Sequence, residues 1–426
     1  MFRRFCASEN ANVAMMFALA VLPLMACIGF ATDYGIAVTY ESDMKRSADV
    51  ASVGAISIGS KGFEAALAQK ELGRVFAAEE QARLLFMHNV AGKGDHTSLE
   101  MTPIVERKAD RIVSTVEYTI KVPALFRAFY GEDNMEVRGR SVAEIEIAKA
   151  IDFYMLLDNT PSMGVGATQS DINKMVSNTK DQCAFACHQM DKTNNYYNLA
   201  KSLGVKMRID VVRTATQRLT ETAETSRQKA EQYRMAVYSF GAKAETMGLT
   251  QVAALSSNMT QVRNQTASLD LMTIPYANYF DDQLTAFDDT LKAMEKAIPK
   301  PGTGYGGDEP DKYMFFVSDG VADHAKSIYC KKKTKGTRCQ EPIDTKYCDK
   351  IKKNGVKIAV LYTTYLPLPT NGWYRDWIMP FQNQIGPQMQ ACASPGLFFE
   401  VSPSQGIEAA MNALFEKTIA SARLTH

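Results

Sequence analysis

Apolar and polar positions divide this chain into stretches with three different periods. Residues 13–31 carry no charge and are mostly Ala, Val, Leu, Met, Phe and Ile. At helical rise that run covers roughly 28 Å, about the hydrocarbon thickness of a bilayer. From Tyr34 to about His88 the apolar residues adopt helical spacing. Met44, Ala48, Ala51, Ala55 and Ile58 recur at steps of four, three, four and three. The spacing predicts one long helix, weakly broken at Gly59, Ser60, Lys61 and Gly62. Over residues 98–147 the period shortens to two, most clearly at 112–122 and 135–145, with a polar turn at 131–134. That alternation predicts a small antiparallel sheet.

Beyond Ile151 the pattern changes again. Continuous apolar runs of strand length lie at 151–157, 234–240, 313–318, 356–362 and 397–401. Helical segments separate them, near 205–222, near 252–269, from Thr285, near Cys348 and over 405–424. Strands buried on both faces and alternating with helices predict an α/β fold: a doubly wound, mainly parallel sheet. Ligands of such sheets bind at the carboxyl ends of the strands. The connection 163–203 is long for a strand-to-helix link and predicts an insert over or beside that end.

Charge orients the apolar run. Arg3 and Arg4 precede it; Asp33, Glu41 and Asp43 follow it. The positive-inside rule then leaves the short N-terminus in the cytoplasm and the bulk of the chain outside. A single uncleaved anchor over 13–31 is preferred to a cleaved signal peptide, because the apolar run continues too far. Leu24-Met25-Ala26-Cys27 only faintly resembles a lipoprotein processing box. The expected organisation is a cytoplasmic N-terminus and anchor at 1–33, an α+β region at 34–149 and the α/β domain at 150–426. A net charge of +1, with no basic tract interleaved with aromatics, argues against a nucleic-acid partner. The cluster Lys331, Lys332, Lys333 and Lys335 reads as a solvated loop.

Of eight cysteines, Cys6 and Cys27 lie near or within the anchor and are expected to stay free. The other six fall in the exported part, where an oxidising compartment favours disulfides. Cys183 and Cys187 are close enough in sequence to close a small loop. Cys330, Cys339, Cys348 and Cys392 allow three pairings; Cys348–Cys392 with Cys330–Cys339 is preferred. Cys183, Cys187 and His188 also leave two other readings open: a zinc site, and a lengthened variant of covalent haem attachment.

The chemistry concentrates at the strand ends. Asp158, Thr160 and Ser162 place three oxygen-bearing side chains at alternate positions just after the run 151–157. Such oxygens suit a small hard cation. The Asp-x-Thr-x-Ser pattern resembles the metal-ion-dependent adhesion site of von Willebrand factor A domains, whose usual form has Ser in place of Thr160. The strand ending in Asp319-Gly320 resembles the later metal-loop Asp of that family. Leu284-Thr285-Ala286 resembles its Gly-Thr-Asn segment, with Leu284 and Ala286 departing from it. The resemblance implies Mg²⁺, or another divalent cation such as Mn²⁺ or Ca²⁺, held by Asp158, Thr160, Ser162, Thr285 and Asp319. It implies no organic cofactor. Thr160 keeps the hydroxyl, and Pro161 stiffens the turn.

Taken together, the chain resembles the TadG-like proteins of the Flp (tight adherence) pilus machinery. The residues that carry this are Arg3-Arg4, the stretch 9–13, Asp33-Tyr34-Gly35, the stretch 45–51, the Cys183–His188 insert and Cys392-Ala393-Ser394-Pro395. The resemblance implies a bacterial inner-membrane protein facing the periplasm, with a pilin-like region at 34–149. Its implied work is metal-dependent adhesion to other pilus assembly or secretion proteins, with a partner's acidic residue completing the metal shell. A structural minor-pilin-like or scaffold protein with an empty site is the alternative. A hydrolase is the weakest reading: five histidines are few, no nucleophile has a placed His/Asp pair, and no Gly-x-Ser-x-Gly surrounds Ser162.

Overall fold

The computed structural model describes residues 9–69, 71–91, 98–126, 131, 134–305, 310–326, 329–365, 367–368, 371–402 and 406–423. Arg3, Arg4 and Cys6 lie outside the described residues. The chain divides into two compact units, Met1–Ile147 and Ala148–His426.

In the first unit, α1 (Glu9–Ile56) carries the apolar run and the helical stripe on one continuous helix. It is long and apolar enough to cross a membrane. Met44, Ala48, Ala51 and Ala55 are fully buried, whereas Ile58 lies past the helix end and is exposed. The expected weak break is a complete one. Gly59 takes a left-handed φ of +81°, and separate helices α2 (Lys61–Ala68) and α3 (Phe76–Val90) follow, with the short strand β1 (Gly73–Arg74) between them. Ser60 caps α2 through its side chain to the Phe63 N–H. Strands β2 (Glu100–Arg107), β3 (Arg111–Pro123) and β4 (Asn134–Glu146) complete an antiparallel sheet in the order β1-β2-β3-β4. Along β3 the buried residues are Ile112, Ser114, Val116, Tyr118, Ile120 and Val122, the period-two face that the sequence predicts.

The second unit is built on a six-stranded sheet. Its strands are β5 (Ile151–Leu157), β6 (Tyr233–Ser239), β7 (Thr250–Ser256), β8 (Asp311–Ser318), β12 (Lys357–Thr363) and β13 (Phe398–Val401), in the order β13-β12-β8-β5-β6-β7. All pairings are parallel except β6–β7 at one edge. Every residue of β5 and β8 is buried, as a strand covered on both faces must be. One face packs Phe153, Met155 and Leu157 against Val212, Leu219 and Phe415 from the helices Arg208–Ser226 and Ile407–Arg423. The other packs Leu156 and Phe316 against Phe287, Leu291 and Met389 from the helices Phe287–Ala297 and Gln382–Cys392.

Two sequence expectations need correction here. The helix expected near 252–269 begins as the edge strand β7, and its helical part is only Met259–Thr266. The helix expected from Thr285 starts at Phe287. The lysine cluster is exposed at Lys331, Lys333 and Lys335, as a solvated loop should be, and it also meets two rings: Lys333 lies over Trp377 at 4.7 Å, and Lys335 over Trp373 at 5.2 Å. That cluster runs into a small antiparallel sheet of β9 (Val321–Ala325), β10 (Thr334–Lys335) and β11 (Arg338–Pro342), which the alternation of longer runs does not reveal.

Cys330–Cys339 and Cys348–Cys392 are disulfides. The expected Cys183–Cys187 bridge is absent, and both are free thiols. The backbone between them explains why. Phe185 forms a bridge with Val165, and Ala186 N–H bonds Gly164 O at 2.9 Å, which ties the segment to a neighbouring stretch instead of closing it on itself. Burial raises the pKa of both thiols, that of Cys187 to about 12, so neither offers a thiolate at neutral pH.

Candidate metal-ion site

β5 and β8 are in parallel register, Leu157 opposite Val317, so the loops leaving them emerge side by side. Asp158 follows β5 directly and is fully buried. Its Oδ1 accepts from the Thr160 N–H at 3.0 Å and from Thr160 Oγ1 at 2.7 Å. Its Oδ2 accepts from Ser318 Oγ at 2.6 Å. Thr160 Oγ1 and Ser162 Oγ are 3.4 Å apart. The alternate spacing therefore does turn Asp158, Thr160 and Ser162 toward one another. Pro161 opens a short 3₁₀ turn, Pro161–Gly164, that carries Ser162 outward.

Asp319 ends the neighbouring strand and is 1% exposed. Its Oδ1 accepts from the Val321 N–H at 3.3 Å, while Oδ2 is buried with no hydrogen-bond partner. Burial, reinforced by the charge of Asp158, pushes the Asp319 carboxyl up to about 7; the Ser162 hydroxyl and the buried Arg208 oppose the shift. Burial also raises Asp158, against its bonds from Ser318 and Thr160. Gly320 then turns with φ +75°, and an added Cβ there would stand 2.7 Å from Met389 Cγ and 2.8 Å from Ile385 Cγ2.

Thr285 lies on a third segment, beside the cleft that Ser162 lines. Its backbone pairs with Asp323 of β9, N–H to O at 2.8 Å one way and 3.0 Å the other. It is buried and shares a cleft of about 230 Å³ with Ser162, Cys187, Arg338 and Trp373. Cys183 and Phe185 of the long insert line the same cleft, so the insert borders the site. A larger groove of about 550 Å³ between the helices Arg208–Ser226 and Ile407–Arg423 lies among other residues.

Several contributors have no motif. Ser318 orients Asp158. Asn159 ties the loop down: its Nδ2 donates to Gly241 O at 2.8 Å and Asp270 O at 3.1 Å, and its Oδ1 accepts from the Phe240 N–H at 3.0 Å. Arg208 is buried, donates to Thr364 O at 2.7 Å, and its charge lowers the Asp319 pKa through space. The only sequence signal for Ser318 and Asn159 is a polar side chain beside a metal-loop Asp.

The alternative metal readings do not assemble. The His188 ring stacks on Tyr197 at 3.7 Å, and its Nδ1 lies 3.4 Å from Leu271 O. Among the described residues, the one group of three His, Cys or acidic side chains close enough to share an ion is His324, Cys339 and Glu341. Cys339 is already committed to its disulfide.

No protein-family model matches the chain, and a search of curated proteins finds no match. Among solved structures, the chain is similar to the von Willebrand factor domain of the type V pili tip protein Mfa5 from Porphyromonas gingivalis. That likeness is 11% identical, covers 65% of this chain and 97% of that one, and has a TM-score of 0.38. The pilus adhesin SpaC from Lactobacillus rhamnosus GG, in its open conformation, is 11% identical over 76% of this chain and 34% of that one, with a TM-score of 0.35. The three N-terminal domains of Mfa5 are 9% identical over 73% of this chain and 54% of that one, with a TM-score of 0.32.

Proposed function

We propose that this chain is a membrane-anchored envelope protein that binds a partner protein through a divalent cation at Asp158, Thr160, Ser162, Thr285 and Asp319. One observation carries the reading. Two buried carboxylates, Asp158 and Asp319, stand at the ends of adjacent strands, and Asp319 Oδ2 is buried without a well-formed hydrogen bond. A buried carboxylate oxygen without a donor is costly, and a cation removes that cost. Carboxylate and hydroxyl oxygens are also the donor set that Mg²⁺ takes, and Mn²⁺ and Ca²⁺ accept oxygens as well. The residues therefore fit the group.

When bound, the ion would supply a Lewis-acidic position for a partner's carboxylate. This chain's residues prepare that position. Ser318 and Thr160 fix Asp158, Asn159 holds the loop, and Ser162 opens it toward the cleft. The sequence motifs extend the proposal to a TadG-like component of an Flp pilus assembly system, held in the inner membrane by residues 13–31, with other assembly or secretion proteins as partners.

The second reading is a scaffold whose site works without metal. It is favoured by the three hydrogen bonds that already satisfy Asp158, and by the raised pKa of Asp319, which allows a neutral acid near neutrality. Thermal unfolding of the full chain in detergent, in excess Mg²⁺ and in chelator, separates the two. A native-state ligand at a hundredfold excess over Kd contributes about 2.7 kcal/mol. The wild type is expected to melt higher in Mg²⁺, and Asp158→Ala to lose that difference. Equal melting of the wild type in both conditions sinks the metal reading.

A further inference from the structure

We propose that the loop after β3, at Leu125 and Phe126, is a second membrane contact that enters the lipid interface beside α1. The inference rests on reading α1 as a membrane span. Asp33 follows directly on the apolar run, yet it is only 2% exposed. Its two oxygens clamp the loop: Oδ1 accepts from the Leu125 N–H at 2.9 Å and Oδ2 from the Phe126 N–H at 3.0 Å. Phe126 then reaches back along the helix to Gly29. A Cβ added at Gly29 would stand 2.7 Å from both Phe126 Cβ and Cγ, so the glycine is what admits the ring.

Depth follows from helix geometry. Gly29 lies about one turn before Asp33, roughly 6 Å nearer the middle of the span. Phe126 is therefore level with Ile28 and Phe30, which are 53% and 54% exposed as part of the apolar surface of α1. Leu125, beside it, is 68% exposed. The exposed apolar surface of the span and that of the loop are continuous, and the occupant that covers the first covers the second. The Asp33 clamp has a matching logic. Backbone N–H groups brought to the edge of the hydrocarbon region need partners within the protein, and Asp33 supplies two acceptors. The occupant is thus the headgroup–acyl boundary of a bilayer.

The test uses the full chain reconstituted in phosphatidylcholine–phosphatidylglycerol vesicles that contain nitroxide-labelled lipids. Leu22→Trp reports the span and Leu125→Trp the loop, each read as the difference from the parent, which carries Trp373 and Trp377. The expected Leu125→Trp emission is blue-shifted, quenched most by nitroxide near the headgroup and protected from aqueous iodide. The Leu22→Trp emission is quenched most by deep nitroxide. Adding Asp33→Ala should reduce lipid quenching at position 125 and leave position 22 unchanged. Lipid quenching at 22 with iodide quenching at 125 puts the loop in water and overturns the inference alone. Protection of 125 from both quenchers means a protein covers it, which overturns it too. Loss of lipid quenching at both positions removes the span and the inference with it.

Discussion

Ser318 Oγ donates a 2.6 Å hydrogen bond to Asp158 Oδ2 and so joins the carboxyl ends of two adjacent parallel strands. The bond does for the candidate ligand what outer-shell partners do at metal sites: it fixes which way the carboxylate faces. Ser318→Ala removes the donor and fills no new space. The expected loss of Mg²⁺ affinity is about ten- to hundredfold, read by calorimetric titration. The metal-free protein should lose only about 1–2 kcal/mol. Unchanged affinity would show that the strand seam holds Asp158 without Ser318.

Asp319 gives the opposite sign. Burial and the neighbouring Asp158 raise its carboxyl to about 7 from the ordinary 3.8. The folded protein then holds the proton more tightly than the unfolded chain does. Its contribution to stability is complete below about pH 4 and is lost as pH rises to about 7. Asp319→Asn has no proton to lose. In chelator at pH 8 the variant should be more stable than the wild type by about 1–4 kcal/mol, and Mg²⁺ should add nothing to it. Denaturant titrations of both proteins, with and without Mg²⁺, check this. A variant that is weaker in chelator yet still responds to Mg²⁺ would mean that Asp319 is held by something other than a cation.

How far the sequence reaches is visible at particular residues. The runs 151–157 and 313–318 are continuous and apolar, and burial on both faces leaves few other readings. Strand β7 was misleading because it is an antiparallel edge: of its seven residues only Ala253 is buried, so neither face writes a clear period. Ser318 and Asp158 are 160 residues apart, and Arg208 acts on Asp319 through space. No local pattern encodes such contacts. The ring contacts of the exposed lysine cluster are hidden for the same reason, since Trp373 and Trp377 come to it from about forty residues away. Even cysteine counts predict how many bridges are possible, but the backbone between Cys183 and Cys187 decides whether they close.

The cysteines give a graded test. In the unfolded, unreduced chain, alkylation should label Cys183 and Cys187 along with the anchor cysteine Cys27, and spare Cys330, Cys339, Cys348 and Cys392. The two bridges differ in the loop they close, with sequence separations of 9 and 44. By loop-closure entropy, removing the short one costs about 2.6 kcal/mol and the long one about 4 kcal/mol. Paired Cys→Ala variants, compared by denaturant midpoint, should rank in that order. Mass analysis showing Cys183 joined to Cys187 would restore the clasp that the structure lacks.

Glu341 is a buried acid of the second unit held below its ordinary pKa. Burial alone would raise its pKa, but the donors around it prevail. The Lys331 N–H donates to Oε2 at 2.9 Å and Lys326 Nζ donates to Oε1 at 3.0 Å, while His324 Nε2 stands 3.6 Å from Oε1, close but beyond hydrogen-bond reach. Together they hold the carboxyl at about 2, below its ordinary 4.5. A depressed acid contributes stability that is complete above its unfolded pKa and is lost as pH falls through its folded one. The wild type should therefore lose up to about 3 kcal/mol from this group between pH 4.5 and 2. Glu341→Gln keeps the volume and cannot titrate, so it should start less stable at neutral pH and fall less steeply in acid. Lys326→Met should make the slope shallower as well, by removing one of the donors that depress the pKa. Denaturant unfolding across pH 2–7 reads both. If all three proteins trace parallel curves through the acid range, Glu341 titrates as it would in water, and its buried donors contribute nothing to acid stability.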